Sequence, residues 1–386
     1  MNFKKIFKKF LVAAVGCMMV FSGFACSNGD GAKEILVIES ENITMTEFGE
    51  KVSLLPWNVS QYLAADSNEL VTSYLPSDTM RCDKGEAVKV EYSFNGLNNV
   101  KIVEEKLEIS QEEDFSSIEQ TLYFASRRSY VDIYNLQTGA TYYYRVVIRL
   151  DNGEKHVKTS SFQTEESVRF ISLDGACNVR DIGGWRTESG KRIKQGLLYR
   201  GSEIDGGKNT GHPDFCLTEN GVAQLRALGI KTDFDLRSSA NKVDEYSILG
   251  EDVSRAFYNA PQYQSFFEES RKESVRKIFS KLAKPESYPI YLHCTHGVDR
   301  AGSTVLLLES LLGVSKEDLI RDYELSAFYY NFAHVNRNVQ NGGNVLTLIE
   351  CLETFEGETL ADKTATFLRS VGVTETEIVT IRSIFL

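Results

Sequence analysis

The sequence predicts an α/β domain, with a mostly parallel sheet flanked by helices, behind an N-terminal β-sandwich domain. Two observations carry this reading. Before Thr164, apolar residues recur at every second position, as in half-buried antiparallel strands. After it, short apolar runs alternate with amphipathic helical segments, the order that builds parallel sheets with crossover helices. A chain of 386 residues is long enough for both. The expected organisation is residues 1–25 as an export signal, 26–80 as a linker without assignment, 81–166 as the sandwich and 167–386 as the α/β domain.

At the N-terminus Lys4, Lys5, Lys8 and Lys9 precede an apolar run from Phe10 to Ala25, the pattern of an export signal. The run is shorter than the roughly 20 apolar residues of a membrane span. Cys26, directly after Ser-Gly-Phe-Ala, resembles a bacterial lipoprotein cleavage site, although Gly23 stands where an aliphatic residue is usual. Lipidation of Cys26 and anchoring on the extracytoplasmic face of a bacterial membrane are the expectation. The formal charge is −11; without the first 25 residues, 39 basic residues face 54 acidic ones, a net of −15. Such a surface excludes general nucleic-acid binding, so an anionic ligand requires a local site. Seven cysteines, irregularly spaced, make no disulfide framework in a chain this long.

In the sandwich, Val88, Val90 and Tyr92 alternate with polar residues, as do Tyr142, Tyr144, Val146 and Ile148. Asp151-Asn152-Gly153 marks a tight turn into a further strand ending near Phe162. In the second unit, "GLLYRGS", "IKTDFDLRS" and "SYPIYLH" read as short buried strands. "LTENGVAQLRALG" reads as a helix with Thr218 as N-cap, Val222, Leu225 and Leu228 on one face, and Gly229 as its stop. "AGSTVLLLESLLG" reads as a buried helix ending at Gly313, and Ser315 with Asp318 and Thr374 with Glu377 each open a helix with a capping box.

The chemistry concentrates in "HCTHGVDRAG", His293 to Gly302, between a strand and a helix. Five residues separate Cys294 from Arg300, a loop that can wrap one phosphate-sized dianion with inward N–H groups. Thr295, His296, Gly297 and Val298 supply that cradle, Gly297 allowing a backbone conformation a β-carbon obstructs. Arg300 can grip two phosphate oxygens. The positive surroundings are expected to lower the Cys294 pKa and make a thiolate nucleophile. His293 is read as an orienter of the loop. His293, Cys294 and His296 have poor geometry for one tetrahedral metal ion, so neither metal nor other cofactor is expected.

"HCTHGVDRAG" matches the His-Cys-x5-Arg signature of cysteine-dependent phosphatases. With "CNVRDIGGW", "GKRIKQGLLYRGSEI", "LGIKTDFDLRS" and "LRSVGVTETEIVTIR", it resembles, in order from about Asp174 to the C-terminus, the bacterial tyrosine/serine phosphatases that also act on phosphoinositides. The resemblance implies a phosphocysteine mechanism, with Asp299, inside the loop, as general acid; Asp235, at a neighbouring strand end, is the competing candidate. Arg180 and Arg200 lie in matched blocks, either as substrate contacts or as an ion pair holding the sheet edge. The implied substrates are phosphorylated proteins or phosphoinositides. Where the family has Ala-Gly-Lys, this chain has His296-Gly297-Val298, and Ala301 replaces the usual Thr. Val298 is reminiscent of cysteine phytases, which act on inositol phosphates. Ala301 removes a hydroxyl that eases the second step, so a phosphate-capturing pseudophosphatase with slow turnover is the other alternative. Cys177 is proposed to guard Cys294 as a reversible disulfide, a buried structural cysteine being the plainer reading. "YNLQTGATYYYRVVIRLDNG" with "SSFQT" resembles the end of a fibronectin type III domain, implying a spacer or a module that docks another protein or a glycan.

Overall fold

The computed structural model describes residues 37–76, 82–96, 99–125, 128–205, 215–238, 246–329, 335–339 and 344–386. The export segment and Cys26 lie outside the described residues. No described helix is long and apolar enough to cross a membrane.

Eight strands build the first unit: β1 (Val37–Glu39), β2 (Ile43–Met45), β3 (Val88–Phe94), β4 (Ile102–Ser110), β5 (Gln120–Tyr123), β6 (Tyr130–Ile133), β7 (Thr141–Leu150) and β8 (Lys155–Gln163). They form one sheet of order β1-β8-β7-β4-β5 and another of order β2-β3-β6. The alternating residues meet between the sheets: Val88, Val90, Tyr142, Tyr144, Val146 and Ile148 share one core and are almost wholly excluded from water. Gly153 closes the β7–β8 turn at φ +93°, a conformation that costs glycine no β-carbon clash.

The segment between β2 and β3 belongs to both units. β2 pairs with β3, but α1 (Trp57–Ala64) buries Val59 and Tyr62 in the core of the second unit, joined by Val71 and Cys82. Tyr62 Oη donates to the Glu324 carboxylate, and Cys82 N–H donates to Phe328 O at 3.1 Å. Across the same joint the buried Arg169 guanidinium donates to Leu136 O, Asn135 O and the Asp181 carboxylate.

The second unit contains β9 (Arg169–Phe170), β10 (Arg180–Asp181), β11 (Leu198–Gly201), α2 (Glu219–Ala227), β12 (Thr232–Asp235), β13 (Ser254–Phe257), α3 (Lys272–Leu282) and β14 (Ile290–His293). Five helices follow: α4 (Arg300–Leu312), α5 (Lys316–Glu324), α6 (Val345–Glu353), α7 (Leu360–Ser370) and α8 (Glu375–Phe385). The sheet order is β13-β12-β14-β11-β10-β9. The first four strands run parallel, whereas β10 is antiparallel to both its neighbours, so the sheet is mixed. Thr218 caps α2 by accepting the Gly221 N–H, and Thr374 with Glu377 forms a reciprocal box on α8. At Ser315 the reciprocity is incomplete: Asp318 accepts from the Ser315 hydroxyl instead of its backbone N–H.

β14 comes last among the strands yet lies at the centre, with Asp235 and Gly201 of its two neighbours both in register with His293. The chain therefore leaves the middle of the parallel strands at Cys294 and turns at once into α4, whose residues from Ala301 to Leu312 are all buried. That carboxyl-end position is where open α/β sheets bind ligands.

Candidate active site

Three successive carbonyl oxygens of the 294–300 loop are drawn outward. Thr295 O accepts from Glu203 N–H at 3.0 Å, His296 O from Asn178 Nδ2 at 3.1 Å, and Gly297 O from Arg200 Nη2 at 2.8 Å. Pinning the carbonyls on the outside leaves the N–H groups on the inside, and those of Ala301 and Gly297 act on the Cys294 sulfur, drawing its pKa down. Gly297 sits at φ +73°, and a β-carbon there would lie 2.5 Å from Gly201 O, so only glycine closes the turn against β11.

The donors are held by a second layer. Arg180 and Arg200, both fully buried, converge on Asp322: Arg180 Nε meets Oδ1 at 3.0 Å and Arg200 Nη1 meets Oδ2 at 2.5 Å. Arg180 also donates to Asn178 Oδ1 at 2.6 Å, which aims the Asn178 amide nitrogen at the loop. Of the two readings of Arg180 and Arg200, substrate contact or structural ion pair, this geometry favours the ion pair. Arg180 is engaged by Asp322, Asn178 and Ser326, and Arg200 by Asp322 and the Gly297 carbonyl, with only the buried Arg200 Nε unpaired. Glu309, from α4, is buried nearby and neither of its carboxyl oxygens has a hydrogen-bond partner. Burial, then the charge of Asp322, pushes its pKa well up, so it holds its proton.

Cys294 is 3 % exposed. Burial first, and the Asp299 charge second, push its thiol upward, outweighing the Ala301 and Gly297 amides and the Arg300 charge. This corrects the expectation of a lowered pKa: the loop's positive groups are present, but desolvation of the thiolate is larger. Cys177 is also buried and in no disulfide, packed with Phe215 and Tyr329, and its thiol and that of Cys294 both act on the buried Tyr291 phenol.

The two candidate acids differ sharply. Asp299 is half-buried beside Arg300, and its Oδ1 accepts from Tyr263 Oη at 2.5 Å. Asp235 is fully buried, with Arg237 on both oxygens at 2.7–3.1 Å and Arg255 on Oδ2 at 2.7 Å. Burial alone would raise its pKa, but the charges of His293 and Arg237 and the Arg237 bonds hold it down at about 2. With both oxygens held by arginines, Asp235 is placed as a structural anchor, and the geometry favours Asp299 as the acid. His293 bonds Asp233 Oδ1 through Nε2 at 2.8 Å. Burial pulls its pKa down, but Asp235 and Asp233 outweigh burial and raise it, so the ring ties β14 to β12.

Arg300 is half-buried and, among the described residues, pairs with no carboxylate, which leaves its fork for an anion. Ala301 is fully buried. Ser303 Oγ accepts the Tyr263 N–H at 2.9 Å and makes no hydrogen bond to Cys294, so it does not stand in for the missing hydroxyl. His296 packs edge-on against Phe215 at 5.1 Å, and Val298 joins the apolar core.

Tyr263, Tyr323, Asn178, Asp322 and Asp83 were not legible as site residues. Asn178 lay in a matched block, but its role rests on a left-handed backbone (φ +54°) and on Asp83 Oδ2, which accepts its N–H at 2.6 Å. Nothing in the local sequence marks the other four.

A Cys-x5-Arg turn between a central parallel strand and a buried helix is the loop architecture of the cysteine-dependent phosphatases. The chain belongs to the tyrosine phosphatase family, whose model matches residues 171–386. It is 27% identical over 177 residues to a Cupriavidus necator protein named as a tyrosine-protein phosphatase, covering 40% of this chain and 61% of that protein. It is 26% identical over 134 residues to a tyrosine-protein phosphatase of Nostoc commune, covering 29% of this chain and 46% of that one. The matches thus span less than two thirds of either relative's length. Among solved structures, the core catalytic domain of the PP-IP phosphatase of S. cerevisiae, in complex with citrate, matches with 14% identity and a TM-score of 0.25, over 39% of this chain and 86% of that one.

Proposed function

We propose that this protein hydrolyses phosphomonoesters through a phosphocysteine intermediate. The observation that carries this is the outward pinning of the Thr295, His296 and Gly297 carbonyls, which turns the loop amides toward Cys294. In the first step the Cys294 thiolate attacks phosphorus in line, the ester P–O bond breaks, and Asp299 gives its proton to the leaving oxygen. In the second, water attacks phosphorus, Asp299 takes the water proton, and the P–S bond breaks to release phosphate and the thiolate. Arg300 and the amides hold the equatorial oxygens throughout.

Slow turnover is a second reading, favoured by Ala301 together with the engagement of Ser303 by Tyr263. The substrate class we propose is a protein phosphotyrosine or phosphoserine, a phosphoinositide, or, on the strength of Val298, an inositol phosphate. Export and lipid anchoring at Cys26, with a fibronectin type III-like sandwich as spacer, complete the proposal.

Rapid mixing with p-nitrophenyl phosphate tests it. A burst near one equivalent, followed by slower turnover, is expected. It is lost in Cys294→Ser, and the slow phase is accelerated in Ala301→Thr. Hydrolysis that persists in Cys294→Ser refutes the nucleophile.

A further inference from the structure

Beside the phosphate loop lies a pocket of about 350 Å³ whose polar lining comes from Ser238, Asn259, Gln262, Ser265, Arg271 and Arg300. It sits where ligands of α/β sheets bind: Ser238 follows the end of β12 and Asn259 the end of β13. Its composition is unlike that of the rest of the chain. In a protein with 54 acidic residues and a net charge of −11, two arginines line this pocket and, among the described residues, no carboxylate does. Ala260 and Pro261, both buried, form the apolar part of the wall.

Arg271 is poised for a ligand. Its side chain is 41 % exposed and pairs loosely with Glu268, but its Nε atom is shielded from water and has no hydrogen-bond partner. The Glu268 carboxylate stands 3.8 Å from that nitrogen, too far to bond it, and is itself mostly in water. A buried guanidinium nitrogen without an acceptor is costly unless an anion supplies one. Arg300 forms the boundary between this pocket and the reactive loop, so an anion bound here sits next to the scissile phosphate.

We propose that this pocket is a second anion subsite, with Arg271 as its specificity-determining residue, and that the preferred substrates are small molecules carrying a second phosphate beside the one removed. This rests on the phosphatase reading above. The subsite makes up locally for the cation the loop lacks at Val298: the second charge is met from the 259–271 segment instead of from within the loop.

The test uses the full chain and p-nitrophenyl phosphate hydrolysis, with inorganic phosphate and inositol hexakisphosphate as competitors. Phosphate fills one cradle; the inositol compound fills both. The inositol compound is expected to inhibit at a concentration at least about tenfold lower than phosphate, the worth of one charged hydrogen-bonding contact. Arg271→Ala narrows that ratio about tenfold, and Arg271→Lys recovers part of it. Lys272→Ala removes the same charge from a neighbour of similar exposure that pairs with Glu269 and does not line the pocket, and keeps the ratio. Equal potency of the two competitors, a ratio surviving Arg271→Ala, or an equal loss in Lys272→Ala overturns the subsite. Should the chain hydrolyse no aryl phosphate, the phosphatase reading fails separately, and the same ratio is measured by calorimetry on Cys294→Ser.

Discussion

Tyr263 Oη donates to Asp299 Oδ1 at 2.5 Å and shares a 2.9 Å hydrogen bond with Tyr323 Oη. Burial, followed by the charges of Tyr323 and Asp299, keeps the Tyr263 phenol protonated far above its ordinary range, so it remains a donor at any working pH. One carboxyl oxygen of Asp299 is thereby fixed by the phenol, leaving the other for the proton transfer proposed above.

Tyr263→Phe is therefore expected to lower kcat by about tenfold for alkyl phosphates such as phosphoserine, which need a proton donor. The loss is much smaller for p-nitrophenyl phosphate, whose leaving group departs without one. A uniform loss across leaving groups would mean that Tyr263 only supports the fold.

The thiol of Cys294 offers a direct readout of its neighbours. Asp299 raises it and Arg300 lowers it, so Asp299→Asn moves the pH midpoint of iodoacetamide alkylation down and Arg300→Ala moves it up. Coincident profiles in the three proteins would contradict the electrostatic account.

Glu309 holds a proton in the fold that it releases when unfolded above its ordinary carboxyl pKa. Its folded pKa is raised, so its contribution is fully present below about pH 4 and is lost as the pH rises. Glu309→Gln removes that loss without changing shape. Its melting temperature is expected to equal the wild type's near pH 4 and to exceed it increasingly toward pH 8, by about 2–4 °C per kcal/mol. A gain independent of pH would point to packing instead of proton linkage.

Asp83 acts on the loop from 95 positions away, through the backbone N–H of Asn178. Asp83→Ala leaves that buried N–H unpaired, at a cost of about 1–3 kcal/mol, and frees Asn178 to release the His296 carbonyl. Both a lower melting temperature and a lower kcat are expected, with Asp83→Asn retaining most of each. Unchanged kinetics in the alanine variant would show that Asn178 holds its position alone.

Local sequence carried the local structure far. Alternation at Tyr142, Tyr144 and Val146, the Thr218 and Thr374 caps and the Gly313 stop all act within a few residues, where backbone preference and side-chain period decide the outcome. The phosphate loop was legible for the same reason, being one contiguous stretch. The antiparallel β9 and β10 were not, because two-residue strands carry no periodicity.

What the sequence determined by itself was the pair of architectures and the nucleophile–arginine loop. Tertiary structure alone decided the rest, because it depends on which distant groups share a desolvated space. It gave Asp235 to two arginines and Asp299 to a tyrosine, favoured the ion-pair reading of Arg180 and Arg200 over ligand contact, and set the Cys294 pKa above its ordinary value, against the expected direction. Charge type can be read from a sequence. Burial and partner, which set what a charge does, arise only when the chain closes on itself.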